Sequence, residues 1–262
     1  MAASVQRRVV VTGASGGIGS AVARRFLGEG AVVANLDLIE PTAERGLEGP
    51  SFHTITADIA DEAAVLGAFA AIDELYGGEP PEVLVHCAAI SVAAPFLDID
   101  AETFDRIVAV NLRGMFLVCR EAGRRMRAAG AGHIVAITSV VAEQGWAGEL
   151  AYGATKAAQK AMVQSMAVEL APFGICVNAV GPGLIEQKSA SMASTRDDSQ
   201  VLQHDLDRTP LARFGQAEEI AEAVHFLAGA TWTTGQTLYV DGGFLSAGLG
   251  YFGKARETLK NG

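Results

Sequence analysis

The 262-residue sequence predicts an α/β protein, with a doubly wound parallel sheet between two layers of helices. Two observations predict this three-layer arrangement. Short β-branched runs alternate with helix-like segments from one end of the chain to the other. The runs are also apolar at successive positions, as expected for strands that are buried on both faces. No interdomain linker or internal repeat interrupts the alternation, so we expect a single domain over residues 1–262.

The expected elements follow one another in regular order. Strands are expected at 8–12, 31–37, 83–86, 133–137, 175–179 and 237–241, with a further strand ahead of Asp58. Helices are expected at 17–29, 61–76, 102–129, 151–171 and 217–228. Two segments stand apart from this pattern. Residues 184–210 include a long polar stretch that is typical of a lid-like loop, and the tail 244–262 begins with apolar residues.

The composition excludes several classes of protein. Thirty acidic and 20 basic residues give a formal net charge of −10, whereas nucleic acids and anionic membranes require a basic surface. The three cysteines are too widely spaced for a disulfide framework or a cysteine zinc site, and the histidines lack ligand spacing. No apolar run is long enough to span a membrane, and the first strand starts too early for a signal peptide. We therefore expect a cytoplasmic protein without nucleic-acid, membrane or metal partners.

A glycine-rich stretch joins the first strand to the first helix. Residues 12–19 read Thr-Gly-Ala-Ser-Gly-Gly-Ile-Gly. Glycines let the backbone approach a pyrophosphate, which the N–H groups and the dipole of the helix N-terminus attract. A purely structural turn is the alternative, but the strand before and the helix after provide the context of a dinucleotide-binding loop. The candidate cofactor-binding residues here are Gly13, Ser15, Gly16, Gly17, Ile18 and Gly19.

The end of the second strand predicts which nicotinamide cofactor binds. Asp37 lies 18 residues beyond Gly19, where a carboxylate accepts hydrogen bonds from the adenosine ribose and repels a 2′-phosphate. The 12–19 loop contains no basic residue to neutralise that phosphate. The pattern predicts NAD rather than NADP, the alternative being that Asp37 is an ordinary loop residue. Asp58 and Ile59, after the third strand, are further candidates for contact with adenine.

Tyr152 and Lys156 are four residues apart in a helical segment, so their side chains share one face. A neighbouring ammonium favours phenolate over phenol and is expected to lower the pKa of the tyrosine from its usual ~10. The pair would then act as a general acid/base near neutral pH. Ser139 follows the fifth strand, at the edge where open α/β sheets bind ligands, and its hydroxyl can donate to a substrate oxygen. Considered alone, Ser139 is more simply a turn residue.

Asn111 lies inside the expected helix 102–129. Asparagine is unfavourable there because its amide competes for backbone hydrogen bonds. A local kink with a bound water, or a place in a catalytic relay, explains its presence.

Taken together, these residues closely resemble the motifs of the short-chain dehydrogenase/reductase family, over nearly the whole chain. The matching positions are the 12–19 loop, Asp58, Asn111, Ser139, Tyr152 with Lys156, the Pro182-Gly183 pair, and the segment 234–243. The resemblance implies a Rossmann fold that binds a nicotinamide cofactor.

The resemblance also implies a role for each matching residue. Tyr152 is the expected proton donor and acceptor, and Lys156 holds the ribose hydroxyls. Ser139 orients the carbonyl or alcohol, and Asn111 anchors a water in the proton relay. Further cofactor contacts are implied at Ala88, Ala89, Pro182, Gly183 and Ile185.

Two positions depart from the family pattern. The family usually has Asn-Asn-Ala-Gly after the fourth strand, where this chain has His-Cys-Ala-Ala at 86–89. This change affects the wall of the cofactor pocket. A threonine that the family places near the nicotinamide carboxamide is replaced by Gln187.

The resemblance implies an NAD-dependent alcohol dehydrogenase or ketone reductase with a small-molecule substrate. One alternative is a 3-oxoacyl-thioester reductase, which normally favours NADPH, and another is a nicotinamide-binding regulator without turnover. Substrate contacts are expected at Val141, Gln144, Trp146 and Leu184, although Trp146 equally suits packing within its loop. Because relatives are commonly tetramers and the tail begins with apolar side chains, we expect a homo-oligomer, with a tetramer favoured.

Overall fold

Seven parallel strands form one sheet in the order β3-β2-β1-β4-β5-β6-β7. The computed structural model describes residues 6–186 and 206–247. The strands are β1 Arg8–Thr12, β2 Val32–Asp37, β3 Phe52–Thr56, β4 Val83–His86, β5 Gly132–Ile137, β6 Ile175–Pro182 and β7 Thr237–Val240. This sheet confirms the predicted fold class. The expected strands match within two residues, except that β6 continues to Pro182.

Helices cover both faces of the sheet. They are α1 Gly17–Leu27, α2 Glu62–Leu75, α3 Ala101–Val108, α4 Met115–Ala129, α5 Leu150–Leu170 and α6 Ala217–Gly229. One apolar core lies between the sheet and α1 with α6, and a second lies between the sheet and α2, α4 and α5. Successive residues of β1 alternate between the two cores, with Val10 in one and Val9 and Val11 in the other. This alternation explains why the strands are apolar at consecutive positions.

The segment predicted as one helix, 102–129, contains a π-helical turn at Ala109–Gly114 between α3 and α4. This turn includes Asn111, where the sequence predicts a kink. Its last residue, Gly114, packs against the loop after β3, because a Cβ there would lie 2.9 Å from the side chain of Ile59. Turns of this kind inside α-helices frequently mark functional sites.

The carboxyl ends of the strands form the edge at which the predicted site residues gather. The chain moves in opposite directions along the sheet from β1 to β2 and from β1 to β4, which creates a crevice between β1 and β4. Gly13 follows β1, Ala88 lies just beyond β4, and Ser139 lies just beyond β5. The sheet therefore brings these distant parts of the sequence to one edge.

Some expectations concern residues outside the described ranges. Gln187 and most of the predicted lid 184–210 lie there, as does the tail beyond residue 247. Within the described ranges, no helix combines the length and the apolar character that crossing a bilayer requires.

Candidate active site

The glycine-rich loop after β1 is shaped by close backbone approaches. Gly13 has φ +76°, and a Cβ on it would lie 2.9 Å from the backbone of Ala88. A Cβ on Gly19 would lie 2.2 Å from the carbonyl oxygen of Gly13. The N-cap of α1 is Gly16, which offers no side-chain cap, and the first turn carries no acidic residue. The N–H groups of this turn are therefore free of side-chain caps, as a phosphate-binding helix terminus requires.

Asp37, at the end of β2, lies directly beside this loop. Its Oδ2 accepts a hydrogen bond from the backbone N–H of Ser15 at 3.0 Å, and its Oδ1 accepts one from Leu38 at 2.7 Å. The Ser15 hydroxyl donates to the carbonyl of Ile39 at 2.7 Å. A negative charge is thus fixed next to the glycines, where the sequence predicts the adenosine ribose.

The two candidates after β3 have different environments. Asp58 Oδ1 accepts from the N–H of Ala60 at 2.9 Å, and its Oδ2 is 3.3 Å from a guanidinium nitrogen of Arg106. Ile59 is buried in the core, next to Gly114. Contact of either residue with adenine remains a prediction.

The wall between β1 and β4 is held by the side chain of Thr12. Its hydroxyl oxygen accepts from the backbone N–H groups of Cys87 at 3.2 Å and Ala88 at 3.1 Å, and lies 3.1 Å from His86 Nδ1. Burial lowers the pKa of His86 to about 3 and raises the pKa of the Cys87 thiol to about 12. Both side chains are therefore uncharged near neutral pH. Although residues 86–89 depart from the family pattern, the backbone of this wall is hydrogen-bonded to Thr12.

The other side of the crevice is formed where β6 and β7 end. Pro182 is buried, and the N–H of Gly183 donates to the carbonyl of Val240 at 3.0 Å. A Cβ on Gly183 would lie 2.6 Å from Cα of Asp241, so only glycine allows this approach. Ile185 pairs with Gly215 in an isolated bridge. Contact of Pro182, Gly183 and Ile185 with a cofactor remains a prediction.

Ser139, Tyr152 and Lys156 lie together at the C-terminal edge. Ser139 accepts from the N–H of Val141 at 3.3 Å and is hydrogen-bonded to the Tyr152 hydroxyl. The ammonium of Lys156 lies 5.4 Å from the centroid of the Tyr152 ring, within the range of a cation–π contact. The structure therefore brings together the three residues that the sequence singles out.

The protonation of this cluster differs from the sequence prediction. Burial raises the pKa of Tyr152 above its usual value, and the charge of Glu149 raises it further, while the hydrogen bond from Ser139 lowers it. The expected lowering by Lys156 is therefore wrong for this arrangement, because the ammonium contacts the ring and turns its donors elsewhere. Burial also lowers the pKa of Lys156 itself, to about 8.

Two N–H groups of the Lys156 ammonium are hydrogen-bonded to other buried polar groups. Its ammonium donates to the carbonyl of Ile137 at 2.7 Å and to Oε1 of Gln159 at 3.1 Å. Gln159 Nε2 in turn donates to the backbone carbonyl of Asn111 at 2.6 Å. Gln159 was not predicted from the sequence, although its place three residues after Lys156 puts both side chains on one helix face.

The side chain of Asn111 joins the π-helical turn to the loop after β4. Its Oδ1 accepts from the N–H of Ile90 at 2.8 Å, and its Nδ2 donates to the carbonyl of Ile90 at 2.9 Å and to Thr155 Oγ1 at 3.1 Å. Asn111 therefore connects two segments of the site through its side chain. Its predicted role as the anchor of a relay water remains a prediction.

Glu149 was also missed. It is the N-cap residue of α5, three residues before Tyr152, and its charge raises the pKa of the tyrosine. The Ser91 hydroxyl donates to Glu149 Oε2 at 2.9 Å, which holds the carboxylate beside the loop after β4. A carboxylate in this position is part of the electrostatic environment of the tyrosine.

The predicted substrate-contacting residues lie in the segments that flank the triad of Ser139, Tyr152 and Lys156. Val141 belongs to a short 3₁₀ turn that directly follows Ser139, and Leu184 is buried after β6. The Trp146 ring packs on Phe244, with centroids 5.6 Å apart, so loop packing accounts for part of its role. Gln144 Nε2 and Trp146 Nε1 are buried and have no hydrogen-bond partner among the residues that the structure describes. Substrate contact by these four residues remains a prediction.

A family model that spans most of the chain matches residues 13–245 and is described as enoyl-(acyl carrier protein) reductase. The 2-(R)-hydroxypropyl-CoM dehydrogenase of Xanthobacter autotrophicus is 40% identical over 253 residues, covering 92% of this chain and 99% of that protein. The chain is a short-chain dehydrogenase/reductase. Membership of this oxidoreductase family agrees with the Rossmann-like sheet and the site described above.

Solved structures of similar proteins share the fold of this short-chain dehydrogenase/reductase. Levodione reductase is 30% identical, with a TM-score of 0.86, and the match covers 92% of this chain and 98% of the other. A gluconate 5-dehydrogenase from Burkholderia cenocepacia, solved with NADP and tartrate, is 31% identical with a TM-score of 0.82. That match covers 92% of this chain and 95% of the other. In that structure a nicotinamide cofactor is bound to the fold that this chain shares.

Across residues 6–186 and 206–247, no three His, Cys, Asp or Glu side chains are grouped so that they could hold a metal ion.

Replacing Asn111 by alanine should destabilise the protein. The change leaves the half-buried N–H and carbonyl of Ile90 without their side-chain partner and removes the buried hydrogen bond to Thr155, which together cost about 2–3 kcal/mol in the free energy of unfolding. Urea unfolding followed by circular dichroism measures this loss. Gln164→Ala, at an exposed position of α5, is the control and should change stability by less than about 0.5 kcal/mol. Equal stability of the Asn111 and Gln164 variants would contradict the structural role of Asn111.

Proposed function

We propose that this protein is an NAD-dependent oxidoreductase that transfers a hydride between nicotinamide and a secondary alcohol or ketone. The observation that carries the proposal is the cluster of Ser139, Tyr152 and Lys156 at the carboxyl edge of the sheet. Family membership supports the reaction class. The uncapped N-terminus of α1 and the glycine contacts support the binding of a dinucleotide.

The residues of the crevice suit the parts of such a cofactor. The glycine loop would bind the pyrophosphate, and Asp37 would accept hydrogen bonds from the adenosine ribose. Two N–H groups of the Lys156 ammonium are already used, which leaves the third for a ribose hydroxyl. The remaining proposed cofactor contacts are Asp58, Ile59, Ala88, Ala89, Pro182, Gly183 and Ile185.

The chemical step depends on where one proton is held. When bound, nicotinamide supplies the acceptor or donor of the hydride. Ser139 holds the oxygen of the substrate through its hydroxyl. Tyr152 Oη takes the hydroxyl proton during alcohol oxidation and returns it during ketone reduction. Because the pKa of Tyr152 is raised by burial, the protein alone favours the protonated form, which suits ketone reduction.

The charge near Tyr152 narrows the proposed substrate class. Glu149 is the N-cap residue of α5, close enough to Tyr152 for its charge to raise the pKa of the tyrosine, and its carboxylate accepts a hydrogen bond from Ser91. A carboxylate at this point repels a substrate that carries an anionic group next to the reacting carbon. We therefore propose an uncharged, hydroxyl-bearing or ketone substrate. The alternative of a 3-oxoacyl thioester with NADPH is disfavoured by Asp37.

We also propose a cytoplasmic homo-oligomer, with a tetramer favoured. Its support is the set of large apolar side chains that the isolated chain leaves exposed. Phe116 on α4 is 49% exposed, Val168 on α5 is 77% exposed, and Trp232 after α6 is 99% exposed. Faces that carry such side chains commonly become buried by association.

The function is tested by initial rates with the Tyr152→Phe variant. We expect the wild-type protein to oxidise one class among secondary alcohols, polyols, hydroxysteroids and hydroxyacyl thioesters. Removing the acid/base hydroxyl should lower kcat by about a thousandfold while NADH still binds. Tyr239→Phe is the control, since that hydroxyl bonds to Glu143 outside the triad, and it should retain activity. Unchanged kcat in the Tyr152 variant would refute the assigned role.

The cofactor preference is tested with Asp37→Ala. Loss of the carboxylate removes the repulsion of a 2′-phosphate, so the ratio of kcat/KM for NADP to that for NAD should rise about tenfold or more. Glu40→Ala, an exposed acidic residue three positions later, controls for the change in net charge. Comparable kcat/KM values for both cofactors in the wild-type protein would show that Asp37 does not select NAD.

The influence of Glu149 is tested by the pH dependence of alcohol oxidation. Because the charge of Glu149 raises the pKa of Tyr152, Glu149→Gln should lower it. Oxidation requires the ionised tyrosine, so the acidic limb of the kcat/KM profile should move to lower pH. Glu143→Gln removes the same charge beside Lys160 and should leave the limb in place. A profile that does not move in the Glu149 variant would exclude this electrostatic effect.

A further inference from the structure

Gln159 is the buried link between the catalytic helix and the π-helical turn. Its side chain is completely buried, and both ends of its carboxamide are hydrogen-bonded. Oε1 accepts from the ammonium of Lys156 at 3.1 Å, and Nε2 donates to the carbonyl oxygen of Asn111 at 2.6 Å. The carboxamide therefore fills the space between these two groups.

The ammonium of Lys156 has three donors, and their directions are constrained by this link. One donates to the carbonyl of Ile137 at 2.7 Å, and another donates to Gln159. With two acceptors fixed on rigid elements, β5 and α5, the rotation of the ammonium is restricted. The third N–H then has one allowed direction rather than several.

We propose that Gln159 is a positioning residue that orients the Lys156 ammonium and separates it from the carbonyl of Asn111. The proposal rests on the function assigned to Lys156 above. Gln159 would thus hold the ammonium of Lys156 in the direction that the proposed reaction requires.

A carboxamide is suited to orientation and unsuited to proton transfer. It neither gains nor loses a proton at ordinary pH, so it donates and accepts hydrogen bonds in a fixed sense. A proton that leaves Tyr152 consequently does not pass from Lys156 through Gln159 to Asn111. The link therefore holds the geometry of the ammonium and does not relay a proton.

Within residues 6–186 and 206–247, the other titratable groups that face Lys156 carry no charge near neutral pH. His86 and Cys87, from the end of β4, are neutral because burial lowers the pKa of one and raises the pKa of the other. Tyr152, on the preceding turn of α5, is protonated, and Glu149 faces Tyr152 from one turn further back. Gln159 is thus the side chain that supplies a polar acceptor to the ammonium from α5 itself.

The first experiment is an NMR titration of Lys156 in the cofactor-free protein with [¹³Cε]lysine. The chain has only five lysines, at positions 156, 160, 188, 254 and 260, so the Lys156 signal can be assigned by mutation. The wild-type midpoint should lie near the pKa of about 8. In Gln159→Leu the ammonium loses an acceptor, and the midpoint should fall by about one pH unit.

Gln159→Glu has nearly the same shape and adds a carboxylate, so the Lys156 midpoint should rise instead. This variant keeps the test decisive if the leucine variant does not fold. Gln164→Leu, on the exposed side of α5, is the matched control and should leave the midpoint unchanged. A midpoint that stays within about 0.2 pH units of the wild type in the Gln159→Glu variant would overturn the proposal.

The second experiment measures NADH binding by fluorescence. A lysine that is no longer oriented should bind the ribose less well, so Kd should rise about tenfold in Gln159→Leu, or about 1.4 kcal/mol. An unchanged Kd would overturn the positioning role. Failure of the wild-type protein to bind NADH would instead refute the proposed function, while the lysine titration would still decide whether Gln159 holds the ammonium.

Discussion

A buried ammonium imposes the strictest requirement on this structure. Lys156 is 1% exposed, and a charge removed from water is stable only where several acceptors replace its hydration. Those acceptors come from two elements of the structure. β5 provides the Ile137 carbonyl, α5 provides Gln159, and the Tyr152 ring lies within reach of the charge. Gln159 in turn requires the Asn111 carbonyl, so the helix break at the π-helical turn also serves the lysine.

Most of the fold can be predicted from the sequence because both faces of the sheet are buried. Strands that must be apolar at every position stand out from helices that are apolar on one side. The glycine loop can also be predicted, since its conformation excludes side chains at Gly13 and Gly19. The exact break inside 102–129 was less predictable. Asn111 indicated an irregularity, but the choice of a π-helical turn depends on contacts with Ile90 and Gln159.

The candidate site also contains residues that could be predicted from the sequence and residues that could not. Ser139, Tyr152 and Lys156 could be selected because their residue types and spacing have a direct chemical meaning. Gln159 and Glu149 could not, since a glutamine or glutamate on a helix is ordinary unless its burial or neighbours are known. The pKa of Tyr152 was predicted in the wrong direction for a related reason. Spacing shows that two groups share a helix face, whereas the direction of a pKa depends on burial and on every charge nearby.

The packing of Trp146 against Phe244 gives the protein a built-in optical probe. The sequence contains two tryptophans, and their surroundings differ sharply. Trp232 is 99% exposed. Trp146 lies in the loop that precedes the catalytic helix, and its indole packs on the ring of Phe244. Emission from water-exposed indole lies at longer wavelength than emission from a packed one, so the two contributions separate in the spectrum. A chain with phenylalanine at position 232 would therefore report movements of the loop around the active site through a single natural fluorophore.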